Sequence, residues 1–247
     1  MTATVDATTD EFLGGRVNAR QPRQGYRAGV DAVLLAAACP ASPGETVLEL
    51  GCGVGVVSLC LAARVPGVAV HGVEVQAHYA ALAAANGVAV TQADLTALPD
   101  PLRQTQFHHV IFFPPYFEPQ RGKGAGDLGR QTARVEETPL AAWFETAEKR
   151  LRAKGGLTVI HRAEALPKML AALGPTMGSV EVLPLQPRAG RAAHLVLLRA
   201  RKDGRAPFRL HAPVTLHAGD HHAADTPDYT PLIHNVLQNA APLRFPD

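Results

Sequence analysis

The sequence predicts an α/β protein in which a mostly parallel sheet of seven strands is covered by helices on both faces. Short apolar runs alternate with segments of helical periodicity between residues 46 and 200, as in parallel strands joined by crossover helices. The chain has 247 residues and is 47% hydrophobic, which is enough to bury both faces of such a sheet. Sheets of this class bind ligands at the carboxyl ends of their strands.

The predicted elements follow one another with turn-forming residues between them. A first helix covers residues 29–38 and ends at Pro-Ala-Ser-Pro-Gly, because proline cannot continue a helix. The predicted strands cover residues 46–50, 68–73, 88–92, 109–113, 157–161, 180–185 and 194–200. The later helices cover residues 56–65, 76–86, 140–151, 164–173 and 230–239. Asp228 or Thr230 is suited to cap the last helix, and residues 214–217 are predicted to be extended.

The chain contains no repeat and no linker, so we expect residues 1–247 to form a single domain. Its Rossmann-like core covers residues 41–205. An N-terminal segment, residues 1–40, would cover the ligand site, and residues 206–247 would form a C-terminal extension. The loop of residues 118–137 is rich in glycine and charge and is too long for a simple connection, so we expect a substrate lid.

Composition excludes several classes of protein. The longest apolar run, residues 32–39, is far shorter than the roughly 20 residues that span a bilayer, and the opening residues do not resemble a signal peptide. We therefore expect a cytoplasmic protein that does not enter membranes. The three cysteines form no CxxC pair, and the histidines of the C-terminal extension lack zinc-ligand spacing, so neither a disulfide framework nor a metal is expected.

The net charge is only +2, but the basic residues are clustered along the sequence. Residues 16–27 contain four arginines and no acid, and residues 188–209 contain seven basic residues and one acid. Arginine forks match phosphate oxygens, so these stretches suit RNA, but charge alone favours the simpler interpretation of a solvated basic surface.

A glycine-rich loop follows the first predicted strand and precedes a helix, in the sequence Glu-Leu-Gly-Cys-Gly-Val-Gly of residues 49–55. Glycines there let a ligand approach the backbone, and the helix start offers unpaired N–H groups. Glu74 ends the next strand, nineteen residues after Gly55, where a carboxylate can accept hydrogen bonds from both hydroxyls of a ribose. A nicotinamide dinucleotide fingerprint would need glycine in place of Val56. A tight turn without a ligand is the alternative.

A second loop, Phe113-Pro-Pro-Tyr116, ends the fourth predicted strand. It resembles the Asn/Asp-Pro-Pro-Tyr loop of methyltransferases that modify exocyclic amines. In that loop the amide or carboxylate and the first proline carbonyl accept hydrogen bonds from the target NH₂ group, and the aromatic ring stacks on it. The two prolines keep the loop rigid, which holds the amine in line with the methyl group.

With the motifs around these loops, the chain resembles the bacterial tRNA(Val) adenine-N6 methyltransferases, a family of class I S-adenosylmethionine-dependent enzymes. The further matching segments are residues 12–16 (FLGGR), 25–35 (GYRAGVDAVLL), 133–136 (ARVE) and 225–230 (DTPDYT). The resemblance implies S-adenosyl-L-methionine as methyl donor, S-adenosyl-L-homocysteine as product and a tRNA or other RNA as partner.

The resemblance also implies roles for individual residues. The donor would lie against Tyr26, Asp31, Glu49, Gly51, Gly53, Gly55, Glu74 and Asp94. Asp94 would accept from the adenine amino group of the donor, although it is also placed to cap the next helical turn. The target base would be held at Phe113, Pro114, Pro115 and Tyr116. The RNA would contact Arg16, Arg23, Arg27, Arg121, Lys123 and Arg134.

The chain departs from the family at one position, because Phe113 replaces the motif's asparagine. Phenylalanine accepts no hydrogen bond, and loss of one preorganised hydrogen-bonding group costs about 10²–10³ in rate. The activity is therefore expected to be weak, absent or redirected. As the last apolar residue of a strand, Phe113 would otherwise pack in the core, as would Trp143 and Phe144 on a later helix.

The sequence thus leaves several functions open. The first is a methyltransferase acting on an exocyclic amine of an RNA base, adenine N6. The second is a catalytically silent protein that binds cofactor or RNA. A nicotinamide-dependent oxidoreductase is a third, and a protein glutamine or a small molecule could replace RNA as methyl acceptor.

Overall fold

The computed structural model describes residues 6–115, 138–221 and 228–246. Within these residues the chain forms a nine-stranded sheet and a separate two-stranded hairpin. The hairpin strands are β1 (Ala7–Phe12) and β2 (Val17–Pro22). The sheet strands are β3 (Thr46–Leu50), β4 (Ala69–Glu74), β5 (Ala89–Gln92), β6 (Phe107–Phe112), β7 (Leu151–Arg162), β8 (Met177–Gln186), β9 (Leu195–Lys202), β10 (Arg209–Leu210) and β11 (Val214–Thr215).

Helices connect most of these strands. They are α1 (Val30–Ala38), α2 (Val56–Arg64), α3 (Ala77–Ala85), α4 (Leu140–Arg150), α5 (Leu166–Ala172) and α6 (Pro231–Asn239). Short 3₁₀ turns occupy Leu95–Ala97 and Ala163–Ala165. The α/β class and the alternation of elements are as predicted, with ends that shift by a few residues. The largest shift is at β7, which begins at Leu151 rather than at residue 157.

The central sheet is mostly parallel, as predicted. Strands β5, β4, β3, β6 and β7 are parallel to one another, and β9 is antiparallel to both β7 and β8. The seven predicted strands form the order β8-β9-β7-β6-β3-β4-β5. The two-residue strands β10 and β11 pair in parallel with β8 and extend that edge. The carboxyl ends of β3, β4 and β6 therefore lie side by side.

Each face of the sheet carries its own hydrophobic core. Side chains from α1, α2 and α6 pack on the face that contains Val47, and side chains from α4 and α5 pack on the face that contains Leu48. Strands that are buried on both faces read as continuous apolar runs, which is why they could be predicted. Trp143 and Phe144 are buried in the second core, as predicted.

The N-terminal hairpin was not predicted. Along β2 the buried residues alternate with exposed ones, but the buried positions include Ala19 and Gln21, which give a weak hydrophobic signal. The Gln21 side chain donates to Asp10 (2.6 Å) and to the Ala28 carbonyl (3.2 Å), and it accepts from the Ala28 N–H (2.8 Å). The hairpin thus leads directly into the segment before α1.

Two polar side chains fasten the hairpin to the rest of the fold. Asn86, at the end of α3, accepts from the Arg20 N–H (2.9 Å) and donates to the carbonyls of Arg20 (3.1 Å) and Val54 (2.9 Å). Arg16 donates to the carbonyls of Leu13 (2.9 Å) and Gln238 (2.5 Å). The hairpin is therefore tied to the glycine loop on one side and to α6 on the other.

We expect Asn86→Ala to lower the free energy of unfolding by about 1–3 kcal/mol, because it leaves main-chain groups of Arg20 and Val54 without partners. Urea denaturation of both proteins measures the difference. Asn18→Ala is the matched control, since Asn18 is exposed on β2 and makes no side-chain hydrogen bond within the described residues. Equal effects of the two substitutions would contradict the assigned role of Asn86.

Candidate active site

Three loops meet at the carboxyl edge of the sheet, where the ligand site was predicted. Strand β3 lies between β4 and β6, with Leu50 paired to Val73 on one side and to Phe112 on the other. The glycine loop follows β3, Glu74 ends β4, and the diproline loop follows β6. The topology therefore brings together residues that are far apart in the sequence.

Packing and backbone conformation account for two of the three loop glycines. All three have a positive φ: +65° at Gly51, +55° at Gly53 and +87° at Gly55. A β-carbon would lie 2.6 Å from the Trp143 ring if added at Gly51, and 2.5 Å from Val88 if added at Gly55. Side chains are excluded there by the protein itself.

Gly53 is different because space is left beside it. The nearest atom to a β-carbon built there is Tyr26 Cε1, at 3.9 Å. The backbone of Gly53 is therefore open on the side that Tyr26 borders, as expected where a ligand approaches the main chain. This opening fits the predicted donor.

Glu74 holds the glycine loop in place. Its carboxylate accepts from the Gly53 N–H (2.9 Å) and from the Gln76 N–H (2.8 Å), one bond to each oxygen. The side chain is buried, and this burial raises the pKa of its carboxyl. Each carboxylate oxygen has a second lone pair, so both can still accept from a ligand. The contact with ribose hydroxyls stays a prediction.

Glu49 lies beneath the loop. Only 3% of its surface is exposed, and its carboxyl accepts from the Ser58 hydroxyl of α2 at 2.5 Å. Burial raises the pKa of Glu49 to about 8, so its carboxyl is mostly protonated at pH 7. In this position Glu49 links the end of β3 to the start of α2.

Asp94 caps a helical turn, which is the alternative that the sequence left open. Its Oδ1 accepts from the Thr96 N–H (2.8 Å) and from the Thr96 hydroxyl (2.7 Å) at the start of the 3₁₀ turn. The residue is exposed at the end of β5. Its predicted contact with the adenine of the donor remains untested by this geometry.

Tyr26 borders both the glycine loop and the diproline loop. Its ring meets Phe113 edge to face, with centroids 6.4 Å apart and planes at 79°. Its backbone is held by the Tyr79 hydroxyl of α3, which accepts from the Tyr26 N–H (2.8 Å) and donates to the Tyr26 carbonyl (3.3 Å). Asp31, in the first turn of α1, is near enough for its charge to raise the pKa of Tyr26 after the larger effect of burial.

Sequence reasoning missed Tyr79. It lies in a predicted helix and is buried, so its position indicates only a core residue. Tyr79 and Tyr26 are 53 positions apart in the sequence, and no local pattern indicates a contact between them.

The diproline loop begins one residue earlier than predicted. Strand β6 ends at Phe112, and Phe113 follows it half-buried rather than inside the sheet. Phe113 packs at the margin of the first core and against Tyr26. Pro114 is buried and Pro115 half-buried. Tyr116 lies outside the described residues, as do residues 118–137 with Arg121, Lys123 and Arg134.

The three N-terminal arginines proposed for RNA all have partners within the chain. Arg16 binds main-chain carbonyls, and Arg23 pairs with Asp6 at 2.9 Å in an exposed setting. Arg27 donates to Thr8, to the Pro22 carbonyl and to Asp10. Arg16 and Arg27 thus hold the hairpin together, and contacts of these arginines with RNA stay predictions.

No helix in residues 6–115, 138–221 and 228–246 is long and apolar enough to cross a membrane. In the same stretches, no group of three or more histidine, cysteine, aspartate or glutamate side chains is arranged to hold a metal ion.

A mostly parallel sheet with one reversed strand, a three-glycine loop after its central strand and a diproline loop after the neighbouring strand define a class I S-adenosylmethionine-dependent methyltransferase. The chain belongs to the methyltransferase small domain family, which matches residues 28–186. The predicted fold class and enzyme class are thereby confirmed.

Named relatives confirm the resemblance seen in the sequence. A Porphyromonas gingivalis protein named tRNA1(Val) (adenine(37)-N6)-methyltransferase is 30% identical over 167 residues, which are 62% of this chain and 65% of that protein. The chain therefore spans slightly less than two thirds of that relative. A Yersinia enterocolitica protein of the same name is 28% identical over 207 residues, 76% of this chain and 78% of that one.

Solved structures give the same fold. A predicted O-methyltransferase from Agrobacterium tumefaciens superposes with a TM-score of 0.70 and 25% identity, over 86% of this chain and 98% of that one. A 16S rRNA N2 methyltransferase from Thermus thermophilus, solved with AdoMet and guanosine, gives a TM-score of 0.55 and 22% identity over 81% of this chain and 46% of that one.

We expect Gly53→Ala and Gly51→Ala to have different consequences. The methyl group at Gly51 meets Trp143 in a left-handed backbone, so stability should fall by about 2–4 kcal/mol. At Gly53 the loss should be about 1–2 kcal/mol, but S-adenosylhomocysteine should bind more than about tenfold more weakly. Urea denaturation and titration calorimetry give both quantities. Unchanged binding in Gly53→Ala would show that no ligand approaches this backbone.

Glu49 should make stability depend on pH. Its pKa is about 8 in the folded protein against an ordinary value of 4.5, so between these values the folded state holds a proton that the unfolded chain has released. Stability should therefore fall as pH rises across this window, by at most about 1.4 kcal/mol per pH unit. Glu49→Gln should remove the part of this slope that Glu49 contributes, while Glu74, whose pKa burial also raises, keeps its own part.

The free energy of unfolding at pH 6 and at pH 8, for both proteins, measures the effect. Thr158→Val changes a buried side chain of β7 without changing charge, and it should keep the natural slope. Parallel pH profiles for Glu49→Gln and the natural protein would mean that Glu49 is ionised in the fold.

Proposed function

We propose that this methyltransferase transfers a methyl group from S-adenosyl-L-methionine to an exocyclic amine of tRNA, adenine N6. The observation that carries the proposal is the meeting of the glycine loop and the diproline loop across Tyr26. One loop is suited to the donor and the other to a planar amine. The names of the Porphyromonas and Yersinia relatives support the same acceptor.

When bound, S-adenosylmethionine supplies an electrophilic methyl group on a positively charged sulfur. The open backbone of Gly53 and the carboxylate of Glu74 would hold it, with Asp31 and Asp94 as further acceptors. Gly51 and Gly55 contribute the conformation of the loop, and Glu49 supports the loop from below. Glu49 is given the supporting role because its buried carboxyl accepts from the Ser58 hydroxyl of α2.

The diproline loop would position the acceptor. Prolines 114 and 115 fix the backbone and offer carbonyls without competing N–H groups, so the Pro114 carbonyl can accept from the target amine. Tyr116 would stack on the base. A neutral amine can release its proton to water after transfer, so positioning rather than a strong base does most of the work. A tRNA substrate is in keeping with a cytoplasmic location, and the basic residues would contact its phosphates.

A second function is favoured by one specific observation. Phe113 stands where the motif carries an acceptor and packs its ring on Tyr26, so the scaffold could bind donor and RNA without transfer. The two functions are separated by turnover, since both require donor binding. A protein glutamine or a small molecule as acceptor would leave the donor site unchanged.

Transfer of labelled methyl from S-adenosylmethionine to bulk bacterial tRNA tests the proposal. We expect the natural protein to label tRNA slowly and Phe113→Asn to label it faster, with a gain of about 10²–10³ as the upper limit that applies when no other group of the fold replaces the missing amide. Gly53→Ala is the control for donor-dependent transfer. If neither the natural protein nor Phe113→Asn labels tRNA while both bind the donor, the tRNA assignment is wrong.

A further inference from the structure

The diproline loop lacks one of the two hydrogen-bond acceptors of the family motif. The family motif places two acceptors beside the target amine, and this chain keeps the Pro114 carbonyl but has the apolar ring of Phe113 at the other position. Moving an N–H of the target amine out of water without giving it a hydrogen-bond partner costs about 1–3 kcal/mol. A chain that methylates an amine at this site therefore needs an acceptor from elsewhere in the fold.

Within the described residues, Tyr26 is a polar side chain that the fold brings to Phe113. Their rings are in edge-to-face contact, and the same Tyr26 ring reaches the open side of Gly53. Tyr26 therefore lies between the glycine loop and Phe113, the first residue of the diproline loop. The residue is 52% exposed, so a substrate can reach it.

The hydroxyl of Tyr26 is available for a ligand. Within residues 6–115, 138–221 and 228–246 the hydrogen bonds of Tyr26 involve only its backbone N–H and carbonyl. Partial burial, together with the carboxyls of Asp31 and Glu49, raises the pKa of Tyr26, so the phenol stays neutral at physiological pH. A neutral phenol oxygen accepts a hydrogen bond and can donate one of its own.

The position of Tyr26 is fixed by its neighbours. The Tyr79 hydroxyl binds both main-chain groups of Tyr26, and Gly25 lets the two residues approach. Gly25 has a φ of +100°, and a β-carbon there would lie 2.9 Å from the Tyr79 hydroxyl. These bonds fix the backbone from which the Tyr26 side chain extends, and the contact with Phe113 limits the position of its ring. Such preorganisation is what an acceptor needs to contribute to a transition state.

We infer that the Tyr26 hydroxyl accepts a hydrogen bond from the target amine and replaces the acceptor that Phe113 lacks. The inference rests on the proposed function, because it requires an amine at this site. It adds no covalent step: the phenol orients the amine, and the proton released after transfer goes to water. Tyr79 is a positioning residue, which acts only through Tyr26.

The test uses the full chain with Tyr26→Phe, Phe113→Asn and the double substitution. We expect Tyr26→Phe to lower kcat for tRNA by about tenfold to a hundredfold. Its Kd for S-adenosylhomocysteine should change by less than about twofold, since the ring beside Gly53 is kept. Adenosine should bind to the S-adenosylhomocysteine complex about three- to tenfold more weakly. Thr158→Val, which removes a buried hydroxyl from β7, is the control and should change none of these values.

The double substitution gives the sharper result. If the phenol and the amide serve the same N–H, then Phe113→Asn should restore most of the activity that Tyr26→Phe loses. The unfolding temperature of Tyr26→Phe should match that of the natural protein, because its hydroxyl has no partner in the described part of the chain. A structural role for the hydroxyl would instead lower the unfolding temperature and would not be rescued by Phe113→Asn.

The outcomes separate the two proposals. If the natural protein labels tRNA and Tyr26→Phe does so equally well, the inference is wrong and the proposed function stands. If only proteins with Phe113→Asn label tRNA, Tyr26 does not replace the amide. The inference is then wrong, although the fold and the donor site are functional. If no variant labels tRNA, the proposed acceptor is wrong, and the inference fails with it.

Discussion

The carboxylate of Glu74 bonded to the N–H of Gly53 is the contact on which the site depends. A loop with three left-handed glycines has many conformations open to it in isolation, and its backbone N–H groups need partners once they leave water. Glu74 supplies one partner from the neighbouring strand and anchors itself on the Gln76 N–H. The end of β4 and the start of α2 are thereby held in one arrangement, with the backbone of Gly53 turned to the opening beside Tyr26.

The rest of the site is built outward from this contact. Trp143 from the second core packs on Gly51, and Val88 from a small separate cluster with Cys52 and Ala83 packs on Gly55, so the loop is held from two sides. Tyr79 comes from α3, directly after the strand that carries Glu74, and holds the backbone of Tyr26. The glycine loop, the segment that carries Tyr26 and the diproline loop are thus connected through Glu74, Tyr79 and the contact of Tyr26 with Phe113.

Local patterns were sufficient to predict the sheet, its helices and the positions of the two loops. Apolar runs marked strands buried on both faces, and the spacing of Gly51, Gly53 and Gly55 indicated a ligand loop. The edge contact between Tyr26 and Phe113 could not be predicted, because the two residues are brought together by the whole fold. The hairpin was missed because Ala19 and Gln21 occupy its buried positions. For Asp94, the residue type alone could not decide between two predicted roles, since one carboxylate suits both a helical cap and an adenine contact.

The bond between Arg16 and the carbonyl of Gln238 joins residues 222 positions apart. Chains fold as they leave the ribosome, beginning with the N-terminal part, so the hairpin is made first but gains this anchor only after α6 has been synthesised. Asn86 and Tyr79 can hold the hairpin and Tyr26 as soon as α3 has been made, so the bond to Gln238 is the last of these attachments to form. An unfinished chain would therefore present the site with its hairpin fastened on one side only.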